Sequence, residues 1–464
     1  MTETVINNGC FFLYEVKRME CFIGLDIGTS AVKAALMTCD GSLLAVESKT
    51  YHYFYKGEAK LLSPDVFAQT CLSTIRKLAA TLSPEHKIIA ICSCCASGNL
   101  LMLDENNRPI IPIIGWQTSL SQEEVDSFYT KEEQEAFYET VGWPLDRDMP
   151  AVYLAAIKKH RPDLIQKASV ITMHAEYLNF LLTGKWGLTH SMGTPSYLMD
   201  QEKGVYNNAL LEKLGIKEST LPPIYKKGTV LGNVTPEIAK SLYLSEDTKI
   251  VLGTFDHPSG ALGAGVFEEG DMLLSCGTSW VEFFPVKSRS FAISTKGLVD
   301  RFLLDGCEYC VMKSLSSITD KINKHREHFF GRISHAEFDK YVSQSSLGCN
   351  GLVFDFTEGD DARAEGHSRA DIARAIIEGA ALKLKTNLEK LRSSGLRADN
   401  ITIIGGITNS KPCTQVISQV LGVKLKSING QSAGAIGACL LAGIGVGVYA
   451  NEKEAFEVMK SKLK

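Results

Sequence analysis

The chain has 464 residues, enough for more than one hydrophobic core, and its length favours two or three domains. Hydrophobic residues make up 45% and charged residues 22%, and the net charge of −4 gives no electrostatic basis for binding nucleic acid or an anionic membrane. No run approaches the roughly 18 apolar residues of a membrane span, and the thirteen cysteines are spaced for neither a disulfide framework nor a zinc site.

Residues Met1 to Arg18 lack the basic, apolar and cleavage regions of a signal peptide and read as an extension ahead of Met19. Two β-type apolar runs then flank a Gly-Thr-Ser turn, in Cys21-Phe-Ile-Gly-Leu-Asp26-Ile-Gly28-Thr29-Ser30-Ala-Val-Lys33-Ala-Ala-Leu-Met37. Asp40-Gly41 is a hairpin signal, and Leu43 to Val46 continues the meander. Apolar residues recur at helical spacing from Pro64 to Leu82, with Ser63 as N-cap, and Ile88 to Cys95 follows as a buried strand. A meander followed by alternating helix and strand is an α/β pattern.

The middle of the chain, from about 121 to 244, reads as mainly helical, with helices over Pro150–Lys159 and Ala175–Leu182, the latter stopped at Gly184. Ile250 to Gly253 is a short strand running into Thr254-Phe255-Asp256-His257-Pro258. Met272 to Phe284 echoes the start of the chain: an apolar run, Gly277-Thr278-Ser279, and another apolar run. The repeat half a chain away predicts a duplicated domain. Further on, Ala370–Leu391 reads as a long amphipathic helix, Ile401 to Gly406 as a strand ending in glycines, Thr414–Leu421 as a helix, and Gln431–Leu441 as a tightly packed small-residue helix.

Phosphate binding needs closely approaching backbone N–H donors, hence glycine, with hydroxyls beside them, and both Gly-Thr-Ser turns offer this. Neither a Walker loop nor a G-x-G-x-x-G after a strand occurs. Asp26 ends a buried strand, where a carboxylate is costly without a cation or donors. It reads as a Mg²⁺ ligand, acting through water, or as an acceptor of turn N–H groups. Asp256 reads as the carboxylate that takes a proton from an attacking hydroxyl, or as a helix N-cap ahead of Pro258. His257 reads as structural rather than catalytic on spacing alone.

In sum these motifs resemble the FGGY carbohydrate kinase family, a branch of the actin-like ATPase superfamily, over nearly the whole chain from Met19. Asp26 to Lys33 is similar to the family's first phosphate motif, D-x-G-T-[ST]-x-x-[KR], and Gly277-Thr278-Ser279 to the second. Gly253 to Gly265 resembles the segment of the catalytic aspartate, which falls on Asp256. Gly405-Gly406 with Ser410 and Gln415 resembles the adenosine-holding segment, and Ala435-Ile-Gly437-Ala438 the closing small-residue helix.

The resemblance implies two ribonuclease-H-like domains flanking a catalytic cleft, a sugar-binding one over residues 19–258 and an ATP-binding one over 259–464. It implies a cytoplasmic kinase using ATP and Mg²⁺ to phosphorylate a small sugar or polyol, a ketose such as a pentulose, with Asp256 as general base and Asp26 on the metal. Gly28, Thr29, Ser30, Lys33, Gly277, Thr278, Ser279, Gly405, Gly406, Ser410 and Gln415 would hold the nucleotide. Ser97, Gly98, Asn99, Trp116, Asp256 and His257 would meet the acceptor, and a homodimer is the candidate assembly.

The pattern departs from the family where substrate is read. W-x-D-x-R becomes Trp116-Gln117-Thr118-Ser119-Leu120, G-Q-x-x-G gives way to Ala96-Ser97-Gly98-Asn99, and D-x-S-x-A-S becomes Thr189 to Thr194. Gly-Gly-Gly-Ala is reduced to Gly405-Gly406-Ile407-Thr408, and Ser314 to Ser317 stands where a glycine pair is usual. These losses imply an unusual acceptor. They also keep open a sugar- or nucleotide-binding regulatory protein on a degenerate kinase scaffold, although such a protein needs no base at Asp256. An actin- or chaperone-like ATPase fits the fold but not the Gly405 to Gln415 segment.

Overall fold

The computed structural model describes residues 3–7, 10–14, 18–96, 98–277, 279–357, 359–427 and 432–462. They form two compact units, Met1–Ser259 with Gly434–Lys464, and Gly260–Ala433.

The first unit is built on a six-stranded sheet. Its strands are β1 (Met19–Ile27), β2 (Ala31–Thr38), β3 (Leu43–Thr50), β4 (His86–Cys95), β5 (Val230–Asn233) and β6 (Lys249–Phe255), in the order β5-β6-β4-β1-β2-β3. β1, β2 and β3 form the antiparallel meander, while β1, β4 and β6 run parallel. The central strands are continuous apolar runs because both faces are covered, and Cys21, Phe22, Ile23, Leu25 and Ile27 are all buried. The predicted hairpin forms at Asp40-Gly41, where Gly41 takes φ +87° and Thr38 N–H donates to the Ser42 carbonyl at 3.0 Å.

Helix α1 (Pro64–Ala80) starts at its Ser63 cap and buries Phe67, Cys71, Ile75 and Leu78. Between β4 and β5 lie α2 (Pro150–His160) and α3 (His174–Thr183), the latter ending on Gly184 in the left-handed region. Helix α4 (Asp256–Gly263) follows β6 directly.

The second unit carries a sheet with the same plan. Its strands β7 (Gly270–Cys276), β8 (Trp280–Val286), β9 (Leu298–Arg301), β10 (Tyr309–Leu315), β11 (Ala398–Gly405) and β12 (Leu425–Ser427) run in the order β9-β10-β8-β7-β11-β12. β7, β8 and β10 are antiparallel in turn, and β7, β11 and β12 are parallel. With β5 and β9 as additions, each unit has a hairpin on one side of its first strand and two parallel strands on the other. This is the duplication expected from the repeated turn. Helices α5 (Arg369–Ser393) and α6 (Lys411–Leu421) complete the unit.

The division differs from the expected 19–258 and 259–464 at the C-terminus. Helix α7 (Ala433–Gly445) clusters from Gly434 onward with the first unit. The reason is near-backbone packing: a Cβ on Gly24 of β1 would overlap the Ala435 carbonyl, and one on Gly437 would overlap that of Ser259. Small residues at those points allow the approach. Gln431, the predicted start of this helix, lies outside the described residues.

Candidate active site

β1 delivers Asp26 to its carboxyl end, and the antiparallel register sets Lys33 of β2 opposite it. The turn between them is braced from several sides. Gly28 N–H donates to the Ala31 carbonyl at 3.0 Å, and Tyr51 N–H to that of Ser30 at 3.0 Å. The Tyr51 hydroxyl donates to the Gly28 carbonyl, and the Trp116 indole N–H to Thr29 Oγ1 at 3.2 Å. A turn fixed in this way presents its groups without further ordering cost.

Asp256 reaches the same end of the sheet from β6. Asp26 pairs with Cys94 of β4, and the next residue, Cys95, pairs with Phe255. The two aspartates therefore sit at the carboxyl ends of parallel strands with one strand between them, roughly 10 Å apart by strand spacing. Ligand sites of open α/β sheets form at that end.

Burial pushes the Asp26 carboxyl up to about 6, with Lys33 opposing and Asp256 adding to the rise. Burial also raises Asp256, opposed first by His257. Both readings of Asp256 meet here: it opens α4 and accepts the His257 backbone N–H at 2.8 Å, yet its half-buried carboxylate interacts with Asp26. The His257 ring packs edge-on against Phe255, centroids 5.2 Å apart, with Nε2 3.9 Å from Asp256 Oδ1.

The substrate-reading segments divide. Trp116 stands beside Gly98, which takes φ +89°. Ser97 lies outside the described residues. Asn99, expected among the acceptor contacts, is placed inside the unit. It is buried, its amide donates to the Ala96 carbonyl at 3.2 Å and faces His174 Nε2 at 3.1 Å, and its oxygen accepts the His174 backbone N–H at 2.8 Å. The side chain ties the end of β4 to the start of α3. The altered Thr189–Ser191 segment braces β6: the Thr189 hydroxyl donates to the Gly253 carbonyl at 2.9 Å, and Ser191 Oγ accepts the Phe255 N–H at 3.2 Å.

In the second unit, Cys276 pairs with Gly405, which brings the Gly277 turn and the Gly405-Gly406 turn side by side at the ends of parallel strands. Gly277 N–H donates to the Ser279 carbonyl at 3.1 Å, and Ser279 Oγ accepts the Ser317 N–H at 3.2 Å. Thr278 lies outside the described residues. Gly405 takes φ +99° against the Cys276 carbonyl, while Gly406 faces open space. Ser410 caps α6, accepting the Cys413 N–H at 3.1 Å and donating to Asp339 Oδ1 at 2.7 Å, and Gln415 is exposed on that helix.

Sequence reasoning missed Gly434. A Cβ there would stand 2.8 Å from both Cγ and Oδ2 of Asp26, and its carbonyl accepts from the Ser259 hydroxyl at 2.8 Å and the Cys94 thiol at 3.5 Å. Its place in a small-residue run is visible in the sequence, but the partner carboxylate, some 400 residues earlier, is not.

Paired sheets of ribonuclease-H type, each ending in glycine turns, define an actin-like phosphate-binding fold, and the carboxylates at the first one suit phosphoryl transfer. The N-terminal domain of the FGGY family of carbohydrate kinases matches residues 21–263 and the C-terminal domain residues 351–446, and the chain belongs to that family. It is 25% identical to a xylulose kinase of Staphylococcus epidermidis over 93% of this chain and 89% of that one. Among solved structures it resembles the xylulose kinase of Lactobacillus acidophilus, with a TM-score of 0.85, 22% identity and 95% and 92% of the two chains covered. It also resembles the Plasmodium falciparum glycerol kinase with ADP, with a TM-score of 0.83, 17% identity and 96% and 93% covered. The chain is thus an ATP-dependent carbohydrate kinase.

Proposed function

We propose that the chain transfers the γ-phosphoryl group of ATP to a hydroxyl of a small ketose, a pentulose in the first instance, with Asp256 as general base. The observation that carries this reading is the half-buried Asp256 carboxylate at the end of β6, one strand from the end of β1 and its Gly28 turn. A hydroxyl oxygen forms the new bond to the γ-phosphorus while the bond from that phosphorus to the β-bridging oxygen breaks. The hydroxyl proton passes to Asp256, and ADP leaves with the electron pair. Raised basicity suits the task, because the carboxylate that accepts the proton is a better base than an exposed one.

The turns Gly28–Ser30, Gly277–Ser279 and Gly405–Gly406, with Lys33, are the proposed phosphate and nucleotide contacts. Asp26 fits Mg²⁺: it is a half-buried carboxylate whose nearby side-chain donor is the Cys94 thiol at 3.9 Å, so it retains acceptor capacity for a hydrated cation. When bound, Mg²⁺ neutralises charge on the triphosphate. The xylulose kinase names of the relatives support a pentulose acceptor. Twelve free cysteines without a disulfide among the described residues support a reducing, cytoplasmic setting. The test is ATP-dependent ADP release across ketoses, aldoses, polyols and sugar acids. Turnover highest on a ketopentose supports the reading, and none above background on any acceptor overturns it.

A further inference from the structure

We infer that Asp148 is a specificity-determining residue of this site, a carboxylate that accepts hydrogen bonds from hydroxyls of the polyhydroxy acceptor; the inference rests on the kinase reading above. It begins with the segment Trp143 to Met149, which is anchored at both ends to the site. The Trp143 ring meets Phe255, the neighbour of Asp256, edge-on with centroids 5.8 Å apart. Met149 packs against Gly98 so tightly that a Cβ on that glycine would overlap its sulfur. Gly98 follows β4, and β4 lies between the strands that carry Asp26 and Asp256. The segment therefore spans the strand ends where the acceptor must sit. Leu120 N–H holds the Arg147 carbonyl at 2.7 Å, and the Tyr197 hydroxyl holds that of Pro144 at 2.9 Å.

The backbone here is strained. Met149 has φ 77° and ψ 156°, a region essentially reserved for glycine. Strain of this kind persists where the surrounding structure enforces it, and it clusters at ligand clamps.

That strained residue follows a carboxylate without a partner for one oxygen. Asp148 Oδ1 is buried and has no hydrogen-bond partner among the described residues. The loop's own Arg147 N–H is spent on Asp146 Oδ1 at 2.7 Å. Burial raises the Asp148 carboxyl to about 7, with Asp146 adding to the rise. An unmet buried acceptor is destabilising unless a ligand supplies the donor. Of the positions marked for the acceptor, Gly98 has no side chain, Asn99 is committed to His174, the Trp116 N–H is committed to Thr29, and Asp256 is assigned to the reacting hydroxyl alone. Hydroxyl groups are the donors a sugar or polyol brings, and a charged acceptor binds them more strongly than a neutral one.

The test compares wild type, Asp148→Asn and Asp148→Ala in steady-state kinetics, with ATP and the best-used ketose of a panel containing xylulose and ribulose. Asp148→Ala is expected to raise the acceptor KM at least about tenfold, with the ATP KM within about twofold. Its melting temperature should equal or exceed that of wild type, because an unpaired buried carboxylate is gone. Asp148→Asn, which keeps the shape, should show the same split more weakly. Unchanged acceptor KM in both folded variants overturns the inference alone. Equal losses for both substrates with a lower melting temperature overturn it in favour of a structural role. Absence of turnover by wild type on every acceptor removes the kinase reading, and this inference with it.

Discussion

Gly434 approaches the Asp26 carboxylate so closely that a Cβ at that position would lie 2.8 Å from Oδ2. The contact leaves no space for even a methyl group, and its neighbours are the carboxylate itself and the end of β1. Gly434→Ala should displace Asp26, lowering kcat at least about a hundredfold and stability by about 1–3 kcal/mol. Kinetics and denaturant midpoints check both, and wild-type turnover would show that Asp26 need not hold this position.

The raised pKa values set the acid side of the rate profile. Both Asp26, at about 6, and Asp256 act ionised, so kcat/KM should fall as pH drops below about 6, with apparent values that belong to the interacting pair. Lys33 is the first influence holding Asp26 down. Lys33→Met should therefore move the acid limb to higher pH, and a limb at ordinary carboxylate values in both proteins would contradict the electrostatic account.

Asn99 now predicts a stability effect rather than a substrate effect. Replacing it by Ala leaves the His174 backbone N–H without its side-chain acceptor in a buried site and leaves the ring nitrogens only their Cys95 contacts. The expected loss is about 1–3 kcal/mol in unfolding free energy, with the acceptor KM of the folded fraction within about twofold. A large rise in that KM without destabilisation would restore its expected role as an acceptor contact.

Glu282 in β8 is fully buried, and neither carboxylate oxygen has a hydrogen-bond partner among the described residues. Burial pushes it to about 8 from 4.5, with Asn387 and Lys313 opposing. The native state therefore holds a proton that the unfolded chain releases above about 4.5. The associated stability is complete below that pH and is lost as pH rises through about 8. Relative to wild type, Glu282→Gln should flatten the fall in stability between pH 5 and pH 8.5 by on the order of a few kcal/mol. Identical pH slopes in denaturant unfolding would rule out a buried neutral Glu282.

Much of the site was legible because its signals are local. The apolar run, Asp26 and the Gly28 turn are consecutive, Asp256 directly follows a strand, and the repeated Gly-Thr-Ser marked the second sheet. What escaped depends on residues distant in sequence. Asn99 meets a histidine 75 positions away, Gly434 meets a carboxylate on the first strand, and Met149 takes a backbone conformation that nothing in its side chain announces. The small residues of α7 show in the sequence, but their seat against β1 depends on residues some 400 positions away.

The most direct measurement is ADP release by Asp256→Asn with the best-used ketose, alongside ATP affinity by equilibrium titration. Losing the proton acceptor should lower turnover by about 10²–10⁴-fold and leave the ATP Kd within about twofold. Turnover equal to wild type in that variant would contradict the assignment of Asp256 as the base, and with it the account of how this sheet performs phosphoryl transfer.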